Sequence, residues 1–238
     1  MTLEGKTALI TGGTKGIGYG IAEAMIHKGM RVAITGRTQK TVDKAVNALN
    51  ELKEGHCIGI AADVRSFEEQ EQVVNAVLAK WGKLDVLIAN AGVGHFAKIG
   101  DLTIDQWNQT IDVNLTGVFY SVKASLEALK KSKGYIITIA SLAGTNFFAR
   151  GSAYNASKFG LVGFTQALML DVRQDDIKVS TVMPGSVSTY FNGNEPSEKG
   201  AWKIQSEDIG QIVVDLLQMP ARTLPSKVEV RPSKPPTK

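Results

Sequence analysis

The chain of 238 residues predicts an α/β protein: a single, doubly wound parallel sheet of seven strands with helices on both faces. Three observations carry this expectation. Seven short β-branched or aliphatic runs are separated by stretches long enough for helices, the rhythm of repeated βα units. The runs are continuously apolar rather than alternating, as in strands covered on both sides. Glycines cluster at Gly12, Gly13, Gly16 and Gly18, where the first run gives way to the first helical stretch.

Taken in order, the strands are TALIT (7–11), RVAIT (31–35), CIGIAA (57–62), LDVLIAN (84–90), GYIITIA (134–140), KVSTVM (178–183) and KVEV (227–230). The first helix opens at about Gly16. Two later helical stretches, Ile111 to Leu129 and Ala156 to Val172, carry more apolar surface than one sheet contact uses. The excess predicts a homodimer or homotetramer joined through the helices around 105–130 and 153–172. In QSEDIGQIVVDLLQM, Ser206 is the expected N-cap, with Glu207 and Asp208 in the first turn where their charge suits the helix dipole. That helix should cover the last strand pair. The whole is a Rossmann-type arrangement.

No linker, low-complexity segment or repeat divides the chain, so residues 1–230 read as one domain. The tail RPSKPPTK (231–238) is basic and Pro-rich, and is expected to be solvated and disordered. Its Arg231, Lys234 and Lys238 supply most of the formal charge of +4, which leaves no general basic bias and no argument for nucleic acid. Cys57, the only cysteine, reads as an apolar filler in a strand. The first strand begins almost at Met1 and no apolar run approaches the ~20 residues that span a bilayer, so a soluble cytoplasmic protein without membrane contact is expected.

A strand, a glycine-rich turn and a helix start aim backbone N–H groups and a positive helix end at one spot, a site for a dinucleotide pyrophosphate. The second strand ends AITGRT. Gly36 stands where an acid would hold the ribose 2′-OH of NAD, and Arg37 follows it. Arg37, with Lys15 from the glycine loop, can instead bind a 2′-phosphate. NADP(H) is the expected cofactor.

TGGTKGIG resembles the TGxxxGxG loop of the short-chain dehydrogenase/reductase family, and the resemblance runs along nearly the whole chain. It implies cofactor contacts from Gly12, Thr14, Lys15, Gly16, Ile17 and Gly18 in that loop. It adds Asp63 and Val64 in the adenine-contacting ADV turn, with Asp63 accepting from the exocyclic amine. Asn90, Ala91 and Gly92 lie in ANAG, where Ala89 replaces the first Asn of the family's NNAG. In PGSVST, Pro184, Gly185, Val187 and Thr189 meet the nicotinamide.

Tyr154 and Lys158 in SAYNASKFG are spaced i, i+4 and so share one helical face. A nearby lysine cation favours the phenolate and should lower the Tyr154 pKa, making it a usable acid and base that also contacts the cofactor, as Lys158 does. Ser141, at the end of the fifth strand, would orient the substrate oxygen. Asn114 is a poor helix-interior residue, and the resemblance assigns it to a local kink that helps hold a water beside Lys158. With the four in place, carbonyl reduction to an alcohol follows, without a metal: His27, His56 and His95 are scattered, though His95 in GVGHFAKIG lies beside the expected substrate mouth.

The nearest resemblance is to 3-oxoacyl-[acyl-carrier-protein] reductases and similar NADPH-dependent carbonyl reductases, so the substrate is a small carbonyl compound or an oxoacyl thioester. Lys123, Lys130, Lys131 and Lys133 are candidates for meeting an acidic acyl carrier protein. Two departures leave the substrate open. The chain ends LPSKVEVRPSKPPTK instead of in a Gly-rich segment, and residues 190–205 form a short polar stretch that suggests an open pocket. A sepiapterin-reductase-like enzyme, a broad-specificity secondary alcohol dehydrogenase, and a non-catalytic NADP(H) sensor or scaffold are the alternatives. The intact acid/base set argues against the last.

Overall fold

Successive residues along each strand but the last bury into two different cores, one on each side of a seven-stranded sheet, in a computed structural model that describes residues 2–235. The strands are Thr7–Ile10 (β1), Arg31–Gly36 (β2), Cys57–Ala61 (β3), Val86–Ala89 (β4), Tyr135–Ile139 (β5), Lys178–Pro184 (β6) and Lys227–Val230 (β7). All pair in parallel, in the order β3-β2-β1-β4-β5-β6-β7. Ala8, Ile10, Ile88 and Ile137 face one core, while Leu9, Leu87 and Ile136 face the other. Continuous apolar runs are therefore what a sheet covered on both sides requires.

Helices Gly16–His27 (α1), Gln39–Leu52 (α2) and Ser206–Gln218 (α7) fill the first core. Phe67–Trp81 (α3), Gly117–Ser132 (α5) and Ser152–Val172 (α6) fill the second. A short helix, Ile104–Ile111 (α4), precedes α5 and runs into it through a π turn, Asp112–Thr116. From the central pair β1 and β4 the chain winds outward in both directions. That reversal opens a crevice at the carboxyl ends of the strands.

Local chemistry sets the ends. Ser66 caps α3 by accepting from the Glu69 N–H, and Thr103 and Gln106 form a reciprocal capping box on α4. The expected Ser206 cap of α7 is displaced by one residue. Gln205 is the N-cap, because its N–H donates to the Asp208 carboxylate at 2.7 Å while its Nε2 is held by the Gly200 and Lys203 carbonyls.

The apolar excess on the second-face helices stays uncovered: Phe119 is 46 % exposed, Phe159 43 % and Leu170 53 %. Past β7, Arg231 pairs with Glu229 and Pro232 lies beside Gly185. Residues 236–238 of the expected tail lie outside the described residues. Among the described residues no helix is long and apolar enough to cross a membrane.

Candidate active site

The crevice is a cleft of about 2030 Å³. Of the residues singled out from sequence, Gly12, Thr14, Lys15, Gly16, Ile17, Arg37, Asp63, Val64, Asn90, Ala91, Gly92, Ser141, Tyr154, Lys158, Pro184, Gly185, Val187 and Thr189 line it. Gly18 and Asn114 stand just behind its wall, where they hold other residues in place.

At one end the loop after β1 presses against the loop after β4. A Cβ on Gly12 would lie 2.9 Å from the Ala91 Cα, and one on Gly18 only 2.5 Å from Asn90 Nδ2 and from the Gly12 oxygen. Gly12 also has φ +65°, a conformation that favours glycine. Asn90 is the clamp: its Nδ2 donates to the Thr11 and Gly12 carbonyls at 2.9 and 3.0 Å, and its N–H donates to Thr11 Oγ1. Its side chain thus shapes the loop. No side chain caps α1 at Lys15, so the first-turn N–H groups remain available to an anion in the cleft.

At the end of β2 the cleft is lined by Arg37, and a second arginine joins it. Arg65 grips Asp63 through Nη2 at 2.6 Å and Nε at 3.0 Å, and its own N–H reaches Oδ1 at 2.9 Å. These contacts, with Arg37 adding less, hold the Asp63 carboxyl below its ordinary range. The carboxylate expected to serve an adenine amine is therefore already engaged. Sequence reading missed Arg65, although an arginine two residues after an aspartate in a turn is well placed to return to it.

The other end holds the acid/base set. Ser141 stands two residues past β5; its Oγ accepts from the Ala143 N–H at 3.1 Å and donates to the Pro184 carbonyl at 3.4 Å. Tyr154 and Lys158 sit one turn apart on α6, with the Lys158 Nζ 5.8 Å from the tyrosine ring centroid. The Nζ donates to the Ile139 carbonyl at 3.0 Å in a buried position, and desolvation draws its pKa down to about 8. Tyr154 departs from expectation. Packing of its phenol raises the pKa above the ordinary value, the Ser141 hydroxyl offsets this in part, and Lys158 at this separation is not what sets it.

Asn114 occupies the π turn between α4 and α5, the expected kink. Fully buried, it accepts from the Val93 N–H at 2.8 Å and donates to the Val93 carbonyl and to Ser157 Oγ. Ser157 Oγ in turn donates to the Tyr154 carbonyl at 2.8 Å. A Cβ on Gly92 would be 3.4 Å from Asn114 Oδ1 and 3.9 Å from Lys158 Nζ, so the three converge. Asn155, also missed from sequence, donates to the Ala143 and Asn146 carbonyls at 2.8 Å and fixes the loop that carries Ser141. His95 bonds Gln109 through Nε2 at 2.6 Å at the mouth. His27, His56 and Cys57 lie elsewhere: His56 bonds the Met30 carbonyl, and the Cys57 thiol is pushed up to about 12 by burial.

The family model for the short chain dehydrogenases matches residues 6–200. An uncharacterized oxidoreductase of Staphylococcus saprophyticus is 31% identical over 232 residues, covering 97% of this chain and 98% of the relative. The structure of an alcohol dehydrogenase from the archaeon Thermococcus sibiricus, complexed with 5-hydroxy-NADP, has a TM-score of 0.91 at 28% identity, covering 99% of this chain and 100% of that one. That of a metagenomic short-chain oxidoreductase in complex with NADP has a TM-score of 0.85 at 33% identity, covering 98% and 100%. A family match over most of the chain, joined to a fold shared end to end, means that this protein belongs to the short chain dehydrogenase family of oxidoreductases.

Proposed function

We propose that the protein is an NADP(H)-dependent oxidoreductase that reduces a ketone or aldehyde carbonyl to an alcohol, reversibly. The observation that carries this reading is convergence: Ser141, Tyr154 and a buried Lys158 share one cleft with the glycine loop and Arg37. The residues present fit the dinucleotide. The uncapped α1 start suits a pyrophosphate, no carboxylate stands at Gly36, and Arg37 and Lys15 line the same cleft as cations that suit a 2′-phosphate, with Arg65 beside them on Asp63. NADP complexes of the two structural neighbours support the same choice.

The cofactor, when bound at the glycine loop and Arg37, would supply a hydride for the carbonyl carbon. Ser141 Oγ holds the carbonyl oxygen, and Tyr154 donates its proton to that oxygen as negative charge develops. A phenol pushed up by burial is protonated at neutral pH, the state that reduction needs. Ser141, whose hydroxyl favours the ionised phenol, supports the phenolate left behind; Lys158, charged below its pKa of about 8, keeps a cation one helical turn away, and Asn114 fixes the surrounding backbone through Val93. A mere binder has no use for an intact acid/base set of Ser141, Tyr154 and Lys158 in one cleft, so catalysis is favoured over a sensor.

The carrier-protein reading is weaker, because Lys130 is paired with Glu127 and Asp175 and Lys133 with Asp176. The uncovered Phe119, Phe159 and Leu170 support a homodimer or homotetramer. Cytoplasmic location accords with a single free, buried thiol.

The test is NADPH oxidation across a panel of ketones and aldehydes. Wild type should turn over with a lower KM for NADPH than for NADH. Tyr154→Phe should lose on the order of 10² or more in kcat while still binding NADPH. Equal rates in both proteins refute the assignment.

A further inference from the structure

Three loops, each leaving the carboxyl end of a different strand, bring one phenyl ring apiece toward Tyr154. Phe96 follows β4, Phe148 follows β5 and Phe191 follows β6; Phe148 and Phe191 line the cleft, and Phe96 packs against both of them and against Tyr154. The Phe96 and Phe191 ring centroids lie 5.3 and 5.7 Å from that of Tyr154, at interplanar angles of 66° and 55°. Phe96 is 6.4 Å from Phe191 and 5.8 Å from Phe148.

The backbone is built to allow this. A Cβ on Gly94 would stand 2.6 Å from Phe191 Cζ and 2.9 Å from Phe96 Cζ, so a larger residue there pushes both rings away. The Ala97 N–H donates to the Arg150 carbonyl at 3.0 Å, tying the first loop to the second, and Asn155 holds the second through the Asn146 carbonyl. The Phe191 N–H donates to Thr189 Oγ1 at 3.3 Å, and Ile204 pairs with Ser186 and Ser188 at the base of that loop. The polar pair on this wall, His95 and Gln109, satisfies itself. Yet the rings are not closed over: Phe148 remains 48 % exposed, and Phe96 and Phe191 are only partly buried.

Rings in tilted and edge-to-face contact accept a further ring in the same manner, with a gain beyond the apolar area that any hydrocarbon would bury. We propose that the substrate is an aryl carbonyl compound, a ketone or aldehyde with an aromatic ring on the carbonyl carbon, the ring seated against Phe148 and Phe191, whose positions Phe96 holds by packing on both. This rests on the reductase reading above. The carbonyl carbon gains the hydride of NADPH and the oxygen gains the Tyr154 proton, so the C=O π bond becomes C–H and O–H; an aryl carbinol and NADP⁺ leave.

The probes are acetophenone and cyclohexyl methyl ketone, equal in carbon count and different in aromaticity. In wild type, kcat/KM for acetophenone should exceed that for the saturated ketone. In Phe96→Leu/Phe191→Leu, which keeps apolar bulk, the ratio of the two should fall about tenfold, and Gly94→Ala should lower it in the same direction. The KM for NADPH reports whether each variant folds; if the double variant does not, the Phe148→Leu ratio takes its place. A wild-type ratio at or below one, with turnover of aliphatic ketones still abolished by Tyr154→Phe, overturns the substrate class and leaves the reductase standing. Absence of NADPH oxidation with every carbonyl overturns both.

Discussion

Lys158 is the residue whose chemistry depends most on where it sits. Its spacing from Tyr154 places both on one face of α6, but only burial beneath β5, with the Ile139 carbonyl as acceptor, draws its pKa to about 8. The sign follows directly: the ammonium is present below that value and is lost as pH rises through it, while Tyr154, raised above its ordinary pKa, stays protonated over the same range. For carbonyl reduction, kcat/KM should therefore be flat on the neutral side and decline near pH 8, as measured in the enzyme before ligands bind. In Lys158→Arg, always charged, that decline should move out of the accessible range even if the rate is lower. An unchanged profile in the variant would assign the decline to another group. Tyr154 and Lys158 could be read from spacing. Asn155 and the phenylalanine trio could not, because their partners come from loops whose paths no periodicity encodes.

Among elements, the glycine loop and α1 show how closely two segments must approach to make a site. Gly18 belongs to the helix, yet its missing side chain is what lets Asn90 reach the Gly12 carbonyl. Gly18→Ala places a methyl against a backbone oxygen and an amide nitrogen, neither of which can retreat cheaply. It should cost about 1–3 kcal/mol of stability by overpacking and raise the KM for NADPH about tenfold. Denaturant titration and NADPH kinetics check the two effects, and wild-type values in both would show that the loop relaxes freely. The strands were legible because apolar runs punctuated by glycine and polar turns have a length and a β-branched content of their own. The shift of the α7 cap from Ser206 to Gln205 was not, since Asp208 can serve either neighbour and the path from Gly200 decides.

At the scale of the whole molecule, Phe119 packs against Tyr120 and Phe164 while leaving nearly half its own surface open, and Phe159 and Leu170 repeat the pattern along α6. A second copy covering these faces would bury the area that a stable interface needs, roughly 800 Å² per partner. Sedimentation velocity at micromolar concentration should give a dimer or tetramer, and Phe119→Glu/Phe159→Glu should reduce the mass by half or more. A monomeric wild type would remove the proposal. The cleft itself, with α1 and β2 at one end and three aromatic loops at the other, exists only when β1 and β4 lie side by side.

The sequence by itself determined the seven parallel strands, the glycine loop and the order of Asn114, Ser141, Tyr154 and Lys158, because each of these is a local pattern: strand length, turn chemistry, helical spacing. Tertiary structure decided what surrounds them. Desolvation of Tyr154 and Lys158 and the meeting of Phe96, Phe148 and Phe191 depend on dielectric and distance between segments far apart in the chain. Those quantities are fixed only once the strands are side by side and water has been excluded between them.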